Sequence, residues 1–109
     1  MSDKLIIAVD AQIAALVPRF LANRAADVDK IRAALARADF AAIRAVAHAM
    51  KGSGGGYGFA EISRLGAAME EGAREGDAAA IGALAASLEA YLARIEIKPG
   101  DEREAPGNG

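Results

Sequence analysis

Apolar residues recur at helical spacing over most of the chain, in four runs separated by short polar or glycine-bearing breaks. The first run is Phe20, Leu21, Val28, Ile31 and Leu35, in which the adjacent pair Phe20 and Leu21 is followed by gaps of seven, three and four residues that keep one face of a helix apolar. Pro18 suits its first turn, where a missing N–H has no partner to lose. Ahead of it lie an apolar lead-in, Leu5 to Val9, and Asp10, an N-cap for a short helical segment over roughly residues 11–16. The pattern does not separate one helix from two across residues 11–37, but no strong breaker stands near Asn23 and Arg24, which favours continuity from Pro18. The second run, capped by Asp39, is Ile43, Ala47, Met50, Gly54 and Tyr57, with a break expected near Tyr57 at Gly56 and Gly58. The third, Ile62, Leu65, Met69 and Ala73, stops at Gly76; the fourth, capped by Asp77, is Ile81, Leu84, Leu88, Leu92 and Ile95. The tail KPGDEREAPGNG shows no periodicity and is expected to be disordered. These readings predict an all-α protein: an antiparallel up-down four-helix bundle with a short N-terminal helical segment. Its divisions are a lead-in (1–9), a bundle (10–97) and a tail (98–109).

Composition narrows the chemistry. A chain of 109 residues has room for one domain and a modest core. It is 53% hydrophobic, much of that alanine, and only 5% aromatic, which suits closely packed helices better than a sheet. With no cysteine, disulfides, thiolate zinc sites and thiol catalysis are excluded. The net charge of −2 is interspersed, with no basic stripe for nucleic acid. The apolar run at Leu5 to Val9 is too short for a signal-peptide core or a membrane span. A soluble, cytoplasmic protein is expected.

The stretch AHAMKGSGGGYGF holds the sole histidine, directly before a run of glycines. At about 100° per residue, Ala47, Met50, Gly54 and Tyr57 fall within about 40° of Ile43, whereas His48 lies about 140° away, facing solvent. Arg44 and Lys51 fall within about 60° of it. Ala41, Ala45, Gly52 and Gly55 complete a surface pared down to small side chains. Each glycine inside a helix costs about 1 kcal/mol relative to alanine. Gly54 is explained by close helix packing. Gly52 and Gly55 point outward and ask for another reason, the close approach of a second protein's backbone.

Neutral imidazole is a nucleophile at physiological pH. A neighbouring cation disfavours imidazolium and attracts a phosphoryl dianion once it is transferred. Phosphoryl transfer needs mainly positioning and charge neutralisation, and a solvent-facing histidine with lysine at i+3 supplies the acceptor and part of the neutralisation.

The run His48-Ala49-Met50-Lys51-Gly52-Ser53-Gly54-Gly55-Gly56-Tyr57-Gly58 resembles the signature of histidine-containing phosphotransfer (HPt) domains. Asp39, Ile43 and Ala47 upstream, and Ile62, Leu65, Gly66, Met69 and Glu70 downstream, extend the likeness over about residues 10–96. The glycine run is richer than that family's usual pattern. The resemblance implies a four-helix bundle in which His48 is the phosphoacceptor, Lys51 pairs with the phosphate and Gly52 lets a receiver domain approach. It implies a carrier without autokinase activity, exchanging phosphoryl groups with response-regulator receiver domains and hybrid sensor histidine kinases. Mg²⁺ then belongs to the receiver, and the chain needs no cofactor of its own. Arg44 is a further phosphate neighbour by the helical wheel alone, and Gly55 and Ala45 join Gly52 on the approach surface.

Other motifs fail. A P-loop places its glycines before Gly-Lys-Ser/Thr, but here the lysine comes first; in a dinucleotide fingerprint Tyr57 would stand where a glycine is required. Triads and metal clusters lack partners for a single histidine. The phosphoacceptor domain of a sensor kinase usually has an acidic residue after its histidine and a proline soon after, whereas Ala49 follows here and no proline comes between it and Pro99. A non-catalytic helical adaptor that binds signalling partners without phosphorylation is the remaining alternative.

Overall fold

The computed structural model describes residues 5–9, 14–54 and 59–99. Four helices form the body: α1 (Val17–Ala36), α2 (Phe40–Gly54), α3 (Ala60–Glu75) and α4 (Ala78–Arg94). A single helix runs on from Val17 with Pro18 in its first turn, so continuity from the proline holds. Of the short segment expected over 11–16, Ala14 is helical and Ala15 and Leu16 form a turn, while residues 10–13 lie outside the described residues.

Two connections use the same chemistry. At each, one residue adopts a left-handed conformation and the next is an aspartate that caps the following helix. Ala38 (φ 55°) precedes Asp39, whose Oδ1 accepts from the Ala42 N–H at 3.1 Å. Gly76 (φ 67°) precedes Asp77, whose Oδ1 accepts from the Ala80 N–H at 3.0 Å. The Asp39 and Asp77 N–H groups reach back to the Ala34 and Gly72 carbonyls, closing the ends of α1 and α3. Both caps match the sequence expectation, and both turns reverse the chain within a few residues, which makes neighbouring helices antiparallel.

The helices pack in a ring, each against its neighbours in sequence and α1 against α4, with α2 and α3 in the most extensive contact. Ile31, Ile43, Met50, Ile62, Leu65, Met69, Ile81 and Leu88 are fully buried, and burying each such side chain is worth about 1.5–3 kcal/mol. Leu21, Leu35, Leu84, Leu92 and Ile95 sit partly buried around them. The apolar stripe read from the sequence is therefore the core. Tyr57, placed on it by the wheel, lies outside the described residues, as do Gly55, Gly56 and Gly58.

The ends of the chain depart from expectation. Leu5–Val9 forms a strand, β1, paired in parallel with β2 (Ile95–Pro99), Leu5 opposite Ile95 and Val9 opposite Pro99. Residues 98 and 99, assigned to the tail, are thus the end of a strand; residues 100–109 lie outside the described residues. Parallel strands cannot be joined by a tight turn, and here the whole bundle is the connection. Leu5–Val9 carries no local mark, because a five-residue apolar run has no period that separates strand from helix; Ile95-Glu96-Ile97-Lys98 alternates apolar and polar, but neither segment names its partner.

Candidate functional site

His48 stands on the outer face of α2 with its side chain 69% exposed, while Ala47 before it and Met50 after it are buried. The face predicted for it is the face it occupies. Arg44, Ala45 and Ala41 are exposed beside it. Together with His48 and Glu70 they line an open depression of about 530 Å³. Gly52 lies on the same side, and a β-carbon added there would meet nothing within 4 Å. Gly54 differs: its missing β-carbon would lie 2.6 Å from Ser63 Oγ and 2.8 Å from the Phe59 carbonyl, so α3 packs directly onto it as expected.

The residue that organises the site is Glu70 of α3. Its Oε2 lies 3.0 Å from His48 Nδ1 and its Oε1 3.0 Å from Lys51 Nζ. In the sequence Glu70 stands only among the positions that carry the family likeness, with no role of its own. A signal was present: Gly66, Glu70 and Ala73 are spaced i, i+4, i+7 along a buried side of α3, all of them at the interior. A carboxylate on such a stripe needs partners, and α2 supplies them.

The Lys51 hydrogen bond, against the opposing effect of burial and with help from the His48 hydrogen bond, holds the Glu70 carboxyl below the usual carboxylate range. Glu70 is therefore ionised at neutral pH and can only accept hydrogen bonds. The proton between it and the imidazole must reside on Nδ1. A neutral ring protonated on Nδ1 carries its free lone pair on Nε2. In this arrangement Nδ1 is committed to the protein and Nε2 carries the free lone pair of the neutral ring.

Ser53, at the edge of the stripe, is a tether. Its Oγ accepts from Arg24 at 2.8 Å and donates to the Met50 carbonyl at 3.3 Å, fastening the last turn of α2 to α1. Among the described residues no group of three or more His, Cys, Asp or Glu side chains could hold a metal ion.

The Hpt domain family model matches residues 15–96. The chain belongs to that family. Hpt domains are histidine phosphocarriers of phosphorelays that interact with receiver domains and kinases, and they are not classical enzymes. No curated protein and no solved structure matches this Hpt domain. Among its described residues no helix is long and apolar enough to cross a membrane.

Proposed function

We propose that this Hpt domain accepts a phosphoryl group on His48 Nε2 from the aspartyl phosphate of one receiver domain and passes it to the aspartate of another. The observation that carries the reading is the pairing of Glu70 with Nδ1, which leaves Nε2 as the one unprotonated ring nitrogen, on the exposed face. Attack by the Nε2 lone pair on phosphorus forms the N–P bond as the acyl P–O bond breaks and the receiver carboxylate leaves with its electrons. The ring then bears positive charge, which the Nδ1–H···carboxylate hydrogen bond stabilises. Return transfer reverses each step.

Lys51 and Arg44 supply the charge the phosphoryl oxygens need. Lys51 is 44% exposed, and a turn about its flexible side chain moves Nζ from Glu70 toward a phosphoryl group. Gly52 and Ala45 keep the approach to His48 low enough for a receiver, and Gly55 belongs to that surface by sequence. Mg²⁺ is expected in the acidic pocket of the receiver. The carrier has no autokinase activity, and we place the exchange in the cytoplasm.

The test is phosphotransfer from a phosphorylated receiver, wild type beside His48→Gln. An acid-labile, base-stable phosphate on the wild type alone is expected. A wild type that stays unlabelled with every receiver tried, while still binding one of them, would turn the reading into that of an adaptor. Gly52→Leu is expected to abolish receiver binding, and wild-type affinity in that variant would remove the close-approach surface.

A further inference from the structure

Glu70 reaches α2 from a stretch of α3 that lies directly against the α2 backbone, with Gly66 at the contact. A β-carbon built on Gly66 would stand 2.7 Å from the Lys51 backbone nitrogen, 2.9 Å from the Ala47 carbonyl oxygen and 3.0 Å from the Lys51 α-carbon. All three are backbone atoms, which cannot step aside as a side-chain tip can. Gly72 offers the contrast, since its nearest neighbour would be the Ile81 side chain at 3.1 Å. Glycine inside a helix costs about 1 kcal/mol against alanine, so Gly66 needs a compensating gain. Ala47 and Lys51, whose backbones it touches, flank His48 on α2. Glu70 follows Gly66 by one helical turn on the same side of α3.

We infer that Gly66 is a positioning residue for phosphotransfer: by admitting the α2 backbone it sets the helix spacing at which the Glu70 carboxylate meets His48 Nδ1 and Lys51 Nζ together. The inference rests on the phosphocarrier reading for its purpose, but not for its geometry. Replacing Gly66 by any residue with a β-carbon pushes α3 outward or rolls it. Both His48 and Lys51 then lose a contact that stands at 3.0 Å. Nδ1 loses its fixed acceptor, and the ring proton redistributes onto Nε2, the atom that must attack.

The measurement is the tautomer ratio of neutral His48 in the ¹⁵N-labelled full chain, read from ring nitrogen shifts. Gly66→Ala is expected to lower the Nδ1–H to Nε2–H ratio by about tenfold, in proportion to a lost charge-assisted hydrogen bond. Glu70→Ala should lower it equally, and adding Gly66→Ala to that variant should lower it no further. Gly82→Ala, where an added β-carbon meets nothing within 4 Å, should leave the ratio unchanged. A folded Gly66→Ala protein with the wild-type ratio overturns the inference, as does an equal drop in Gly82→Ala or a further drop in the double variant. If Gly66→Ala does not fold, Glu70→Asp takes its place. With the spacing held by Gly66, a carboxylate one methylene shorter falls out of reach and the ratio drops by about tenfold; an unchanged ratio overturns the inference. No phosphodonor is needed, so failure here is distinct from failure of the carrier reading, which shows as an unlabelled wild type.

Discussion

Two carboxylates in this bundle are each held by a cation, and they behave in opposite ways. Glu70 lies between Lys51 and His48 and is held below the ordinary carboxylate range, with the Lys51 hydrogen bond the largest cause. Asp27 of α1 lies 2.8 Å from Arg24 Nε, yet burial raises its carboxyl above the ordinary value in spite of Arg24 and Lys30. The side chains of the two carboxylates are about equally covered, at 12% and 10% exposure. Their partners are not. Lys51 and His48 are open to solvent at 44% and 69%, whereas Arg24 is 15% exposed. Arg24 is also engaged elsewhere, by Ser53 Oγ at 2.8 Å and over the Phe20 ring at 4.9 Å. The Asp27 cluster is a closed fastening between α1 and the end of α2. The Glu70 pairs open outward, so their partners stay available to a third group.

The largest effect separating the two should come from Asp27→Ala, which leaves Arg24 covered and without its counter-ion. A loss of about 3 kcal/mol is expected, read as a fall in Tm of roughly 10–20 °C. Glu70→Ala should cost far less stability in the same assay, and equal losses would erase the distinction. Next in size is Lys51→Ala, which should slow phosphotransfer by about tenfold or more with Tm little changed; unchanged transfer rates would remove Lys51 from the mechanism.

The smallest effect lies in the pH dependence of stability, where the two carboxylates have opposite signs. The folded Asp27 holds its proton to higher pH than the unfolded chain does, so its contribution is present below the ordinary value of 3.8 and is lost as pH rises through the raised one. Glu70 releases its proton early in the folded state, so its contribution is present above the ordinary value of 4.5 and is lost as pH falls through the lowered one. Denaturation midpoints between about pH 3 and 6 should therefore rise more steeply with pH in Asp27→Asn than in wild type. In Glu70→Gln they should rise less steeply. Slopes changing in the reverse sense would contradict both assignments.

The helices, their caps and the facing of His48 were legible in the sequence because each is written in local spacing. Asp39 and Asp77 cap the residues three positions on, and Ile43, Ala47 and Met50 mark the inward side of α2 without reference to any other segment. The strand pairing of residues 5–9 with 95–99 had no such mark, since its two halves stand at opposite ends of the chain.

By itself, then, the sequence determined which side of α2 carries the histidine, its cationic neighbours and the small residues around it, because a helix has a fixed period. Only the tertiary structure decided which ring nitrogen is held by the protein and which is left open. That depends on a carboxylate 22 residues away, brought to 3.0 Å by the spacing of two helices. No periodicity within either helix encodes that distance. It is set where Gly66 meets the backbone of α2, a contact that exists only once the bundle has closed.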